Sequence, residues 1–153
     1  MVSGSGGGGA LPLSLPPAAP APSLSPEGRG DLRVQGYAAV FDRVDRAGDV
    51  VRAGAFADAG VVPLLWQHRG SPVGEICAIG EDATGLWIEA EVTSPEVARL
   101  VRSGALRGLS VGYRALAARQ GAWREIRRAA LLEVSLVAVP MQAAARVTAV
   151  ISR

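Results

Sequence analysis

Beyond Gly30 the chain is dominated by apolar and polar positions that alternate, most regularly over Thr84–Val92. There Leu86, Ile88, Ala90 and Val92 interleave with Trp87, Glu89 and Glu91. A period of two puts the first set on one face and predicts a strand with one buried and one wetter side. Pro72–Ile79 is a second strand across the turn GEDATG, so the two predict a hairpin. Leu32–Phe41, rich in β-branched and aromatic residues, and Val61–Gln67, interrupted by Pro63, predict two more strands. Between them DRVDRAGD reads as a charged turn region around Gly48. The last third predicts strands at Leu109–Ala118, Trp123–Arg128, Leu131–Val139 and Arg146–Ile151.

One segment changes period. Val97, Leu100 and Val101 form a helical stripe, opened by Ser94 as N-cap, Pro95 at the first helical position and Glu96 at the positive end of the dipole. Gly104 supplies the stop. A shorter helical turn is expected at Gly54–Ala59. Many strands, one or a few helices and no repeated βαβ unit predict a mainly β (α+β) fold, an antiparallel sheet closed into a barrel or sandwich.

The front of the chain is different. Residues 1–30 read SGSGGGG and then LPLSLPPAAPAPSLSPEG, with almost no charge and no periodicity. Such a segment buries too little surface to offset its chain entropy, so it is expected to be a flexible leader. It lacks the basic start and continuous apolar run of a secretory signal, and no stretch reaches the roughly 18 apolar residues of a membrane helix. These features predict a soluble intracellular protein. The single cysteine, Cys77, excludes an internal disulfide, and one Cys with one His is too few for a structural zinc site. In the apolar run VGEICAIG, Cys77 is expected to be buried packing.

The net charge is +2 and all 16 basic residues are arginine, spread along the chain. The nearest approach to a cluster, Trp123–Arg128, reads as the wet face of a strand, which points away from nucleic acid. A small barrel that binds nucleic acid through its arginines would lose affinity steeply with salt.

Candidate chemistry rests on three residues. His68 is the only histidine and follows the apolar run LLWQ. Ser110 lies between Gly108 and Gly112, which would share its face in a strand and leave room for an approaching peptide backbone. Glu133 stands in the otherwise nearly apolar run Leu131–Val139, where a carboxylate is costly unless partnered, and Ser135 shares its face. Serine needs a base to take its proton, and a carboxylate orients that base. Each residue also has a plainer reading: Ser110 as a strand serine, His68 as a solvent-facing loop residue, Glu133 as an edge carboxylate paired with Arg127 or Arg128. Spacing alone leaves these open.

The segments Gly36–Phe56, Val62–Ile76, GLWIEAEV, LVRSGALRGLSVGYRAL and LLEVSLVAVP, in this order, resemble the caudovirus prohead proteases of the HK97 type. The resemblance covers about Gly36 to Val150. It implies a domain over residues 31–153 with a β-barrel related to the herpesvirus assembly proteases. It also implies a serine endopeptidase that trims scaffold segments and the major capsid protein inside an assembling procapsid, in the cytoplasm of a bacterial host. Ser110 is then the nucleophile, His68 the base and Glu133 the third member, with the Val111 amide and Arg114 as candidate oxyanion donors. No cofactor or metal is implied, and no nucleic acid or membrane partner. Self-cleavage and a homo-oligomer are both compatible with such an enzyme.

Two departures stand out. Pro140 is followed by Met141-Gln142 where the family often has P-A-N, and the chain lacks the longer C-terminal tail common in members. The second shifts expected self-trimming toward the leader. The alternative is a catalytically silent assembly module of the same fold that binds capsid or scaffold proteins.

Overall fold

The computed structural model describes residues 32–152, so the expected leader over residues 1–30 lies outside the described residues. The strands are β1 (Leu32–Val40), β2 (Asp49–Val51), β3 (Pro63–Trp66), β4 (Arg69–Glu81), β5 (Gly85–Val92), β6 (Gly108–Gln120), β7 (Arg124–Val137) and β8 (Val147–Ser152). One helix among the described residues, α1 (Pro95–Ser103), follows β5. The strands form a single sheet in the order β2–β7–β3–β4–β5–β1–β8, with β6 on the other edge of β7. Its two ends meet: Leu109 N donates to Ala145 O (3.0 Å) and Val147 N to Arg107 O (2.9 Å), joining the start of β6 to the segment that leads into β8. The curled sheet thereby wraps round one core. No helix among the described residues is long and apolar enough to cross a membrane.

The alternation read in β5 sets that core. Leu86, Ile88, Ala90 and Val92 are fully buried, and β5 pairs with β1 on one side and β4 on the other. Helix α1 closes one side of it with Val97, Ala98 and Val101. The Ser94 hydroxyl accepts from Val97 N (3.3 Å), Pro95 starts the helix, and Gly104 ends it at φ 90°, a left-handed conformation that glycine adopts without a Cβ clash.

Five expectations change. The strands expected at Trp123–Arg128 and Leu131–Val139 are one, because Ala129 and Ala130 carry no breaker and β6 pairs along the whole length of β7. The charged turn region contains the start of β2, which runs parallel to β7. β3 is parallel to β7 too, so the sheet is mixed at this one strand, as the intervening β4, β5, α1 and β6 provide the crossover. At Gly54–Ala59 the chain makes successive four-residue turns (Ala57 N to Gly54 O, Ala59 N to Phe56 O) rather than a helix. Cys77 is exposed, not buried. A bulge between Ile76 and Ala78 interrupts the β4–β5 register, and Cys77 is the extra residue, directed out of the core.

Candidate active site

Ser110 and Glu133 come from neighbouring strands whose register fixes their relation. Ser110 pairs with Ser135, and Gly112 pairs with Glu133, across β6 and β7. Directly opposed residues share a face, so Ser110, Ser135 and Glu133 stand together while Leu109, Val134 and Leu136 fill the core behind them.

His68 arrives from a different hairpin. β3 and β4 are joined through Gln67-His68, with Trp66 paired to Arg69, and both loop residues have positive φ (54° and 64°). This is the geometry of a type I′ turn, normally filled by Asn-Gly, and each left-handed non-glycine residue costs about 1–2 kcal/mol. Contacts with β7 offset the strain. Gln67 N donates to Leu136 O (3.0 Å), Ala138 N donates to the Gln67 side-chain oxygen (2.8 Å), and His68 N donates to Ser135 Oγ (2.9 Å). The turn is thereby pinned with the imidazole beside Glu133.

His68 Nδ1 lies 2.6 Å from Glu133 Oε2, and Ser135 Oγ donates to Glu133 Oε1 (2.7 Å). Both carboxylate oxygens are therefore occupied, which answers the cost of placing a carboxylate in an apolar strand. The Glu133 side chain is 15% exposed and that of His68 is 42% exposed, so the acid is shielded and Nε2 of the ring is left for a reactant. Arg127 pairs with Glu125, not with Glu133.

The two glycines beside Ser110 serve the protein's own packing. A Cβ at Gly112 would overlap the Glu133 carboxylate and stand 3.0 Å from its Cδ and Cγ, while a Cβ at Gly108 would stand 2.7 Å from Pro140 Cδ. The room expected for a substrate backbone is filled by Glu133 and Pro140. Gly112→Ala should push Glu133 off His68 and lower turnover on the order of 100-fold, the cost of displacing a positioned group by about an ångström. Steady-state kinetics on Gly112→Ala, with the melting temperature as a control for folding, checks this.

Ser110 and His68 line one cleft of about 300 Å³. Val111 lines it as well, whereas Arg114 is exposed and does not. The cleft also contains residues the sequence did not single out: Asp49, Tyr113, Arg124 and Gln142. Arg124 Nε and Nη2 each lie 2.9 Å from an Asp49 oxygen, and Tyr113 OH donates to Asp49 Oδ2 (2.6 Å). The Arg124 guanidinium holds the Asp49 carboxyl below the usual carboxylate range. Burial, reinforced by the bond to Asp49, pushes the Tyr113 phenol up, so it stays neutral. Phe56 packs edge-on against Tyr113 with ring centroids 5.8 Å apart. Gln142 is buried and pairs with the Val40 backbone in both directions (2.7 and 3.0 Å), tying the loop after β7 to β1. The only signals for these residues were Gly-Tyr after Ser110 and the departure Met141-Gln142; Asp49 and Arg124 are 75 residues apart.

A depressed carboxyl pKa stabilises the fold above the unfolded value, about 3.9, and the contribution disappears as pH falls through the folded value. Asp49→Asn should therefore be about 1–2 kcal/mol less stable at neutral pH, a modest figure because Arg124 is 44% exposed. The gap should narrow below about pH 4, where the parent's own carboxyl takes up its proton. Urea unfolding of both proteins at pH 7 and pH 3 measures it.

Residues 22–153 match the caudovirus prohead serine protease family. The chain belongs to that family. The family member from Escherichia phage T5, a prohead protease, is 31% identical over 129 residues, covering 72% of this chain and 59% of its own. The prohead protease of Enterobacteria phage HK97 is 30% identical over 91 residues, covering 52% of this chain and 40% of its own. The chain thus spans less than two thirds of either relative. Among solved structures, the protease of Kaposi's sarcoma-associated herpesvirus superposes with a TM-score of 0.56 at 15% identity, over 80% of this chain and 65% of that one. The bacteriophage T4 capsid assembly protease gives 0.54 at 13% identity, over 69% and 80%. At those identities the likeness establishes the fold that this prohead protease family member shares with them, a herpesvirus-protease-like β architecture.

Proposed function

We propose that this chain is a serine endopeptidase that cleaves scaffold segments and the major capsid protein during maturation of a phage or phage-like procapsid. The observation that carries the reading is the 2.6 Å contact between His68 Nδ1 and Glu133 Oε2, with His68 and Ser110 lining one cleft. An imidazole whose Nδ1–H is held by a carboxylate presents Nε2 as a proton acceptor, the tautomer a serine nucleophile requires.

In the proposed reaction Nε2 of His68 takes the Ser110 proton as Oγ attacks the scissile carbonyl carbon. Glu133 stabilises the imidazolium that results. The tetrahedral intermediate collapses when that proton passes to the leaving amine, leaving an acyl-Ser110 ester that water hydrolyses by the same route. The backbone amide of Val111 is the proposed oxyanion donor, a contribution of about 3 kcal/mol per donor in such sites. Arg114, exposed and outside the cleft, is not retained in that role.

The test is co-expression with a major capsid protein from the same genome, following the masses of both chains, with Ser110→Ala in parallel. A defined loss from one end of the capsid protein that vanishes in the variant is the expected result, and a matching loss from this chain's own leader would reveal self-cleavage. Intact capsid protein that nevertheless associates with this chain in both samples would replace the reading with the silent assembly module.

A further inference from the structure

The lining of the cleft carries charge that the proposed proton transfers do not use. Asp45, Asp49 and Arg124 all line it. Arg124 and Asp49 cancel, because the guanidinium holds both carboxylate oxygens at 2.9 Å. Tyr113 is neutral for the reason given above. Asp45 is left. Its Oδ1 accepts from the backbone of Ala47 (2.8 Å) and Asp49 (2.9 Å), while its Oδ2 has no hydrogen-bond partner and the carboxylate no ion-pair partner among the described residues.

The carboxylate is also rigidly held. Asp45 N donates to Asp49 O (2.8 Å), Gly48 N donates to Asp45 O (3.1 Å), and Arg46 N donates to the carbonyl of Met141, which lines the same cleft (3.0 Å). A fixed, unneutralised anion with one free oxygen is preorganised for a cation and costs little further ordering when one binds. The opposite choice, an acidic substrate side chain, would meet a guanidinium whose charge Asp49 already offsets and would bring a further carboxylate into a cleft that already holds those of Asp45 and Asp49.

We propose that Asp45 is a specificity determinant that selects peptides with a lysine or arginine side chain close to the scissile bond. The inference rests on the serine endopeptidase reading above and names the substrate class of that same cleft. A partly enclosed ion pair of this kind gives roughly tenfold discrimination between a basic side chain and a neutral one of equal length.

The full chain is given a peptide mixture randomised at the positions flanking a central bond, and the products are identified by mass spectrometry. One cleaved peptide is then resynthesised with Lys, norleucine or Glu at the selected position. The expected result is a kcat/KM about tenfold higher for Lys than for norleucine, with Glu poorest, and a ratio that shrinks as added salt screens the charge. Asp45→Asn keeps an acceptor for the Ala47 and Asp49 amides and should bring the Lys-to-norleucine ratio close to one; Asp45→Arg should favour Glu. A parent ratio near one at every position, a ratio insensitive to salt, or an unchanged ratio in Asp45→Asn overturns the proposal. Labelling of Ser110 by a neutral fluorophosphonate separates the two readings. A labelled enzyme without charge preference loses only this inference, whereas absence of both labelling and cleavage removes the protease reading and this one with it.

Discussion

Ser110→Ala is expected to lower peptide hydrolysis about a millionfold while leaving the fold unchanged, since removing either the nucleophile or its base disables a serine site as a unit. The structural part of that expectation follows from the surroundings of the hydroxyl. Ser110 is buried, but its side chain makes no hydrogen bond among the described residues, so its removal strands no partner. The backbone of the strand is held independently by β7 and by the bond from Leu109 N to Ala145 O. Circular dichroism and the melting temperature of Ser110→Ala should match the parent, and fluorophosphonate labelling should vanish. His68→Ala should lose as much activity, but it also removes the imidazole from Glu133, so Ser110→Ala is the cleaner probe. Turnover within tenfold of the parent in either variant would falsify the assignment of these two residues.

Glu133→Gln is expected to cost on the order of 10⁴ in kcat, the effect of losing the carboxylate that fixes the base's tautomer. The reason lies in what each oxygen does. One faces His68 Nδ1 and the other accepts from Ser135 Oγ. Glutamine has a single acceptor, so its amide either keeps the oxygen toward Ser135 and turns an NH2 group on Nδ1, or keeps the oxygen on Nδ1 and places the NH2 group against the Ser135 hydroxyl. The first arrangement forces the wrong imidazole tautomer. The second keeps the tautomer without the negative charge that stabilises imidazolium. Either way residual activity should exceed that of Ser110→Ala, because the ring remains in place. Single-turnover kinetics on the three proteins gives the ranking, and Glu133→Gln as fast as the parent would assign the orienting role elsewhere.

Local periodicity shows which residues of the candidate site share a strand face, whereas the grouping of Ser110, His68 and Glu133 was implied only by the family resemblance. The strand alternation that puts Ser135 on the face of Glu133 is a two-residue relation, and their hydrogen bond has that separation. The Ser94, Pro95 and Gly104 signals around α1 are also local, and each does in the structure what its chemistry predicts. What could not be read depends on distant pairing or on a break in period. The tight turn at Gln67-His68 carries none of the usual glycine or asparagine markers, because its left-handed backbone is enforced from β7, as by Ser135 at a separation of 67 residues. Asp49, Tyr113 and Arg124 form a group only once β2 lies against β7, and nothing near any one of them announces the others. Cys77 was misplaced because a free cysteine in an apolar run is usually packed inside, whereas alternation from the buried Ile76 turns this one outward. Gly108 and Gly112 were recognised as close-approach positions, but the neighbours that approach them, Pro140 and Glu133, are set by tertiary packing.

The seam where the curled sheet meets itself divides the cleft between earlier and later parts of the chain. His68, Ser110 and Glu133 all precede Val137 in the chain, whereas Met141, Gln142 and Ala145, which form one wall of the cleft, come after it and are held by bonds to Arg46, Val40 and Leu109. The cleft is completed only when the stretch leading into β8 folds back across β6. Weakening that seam would therefore open one wall of the cleft while the contact between His68 and Glu133, which lies wholly upstream of it, stays in place.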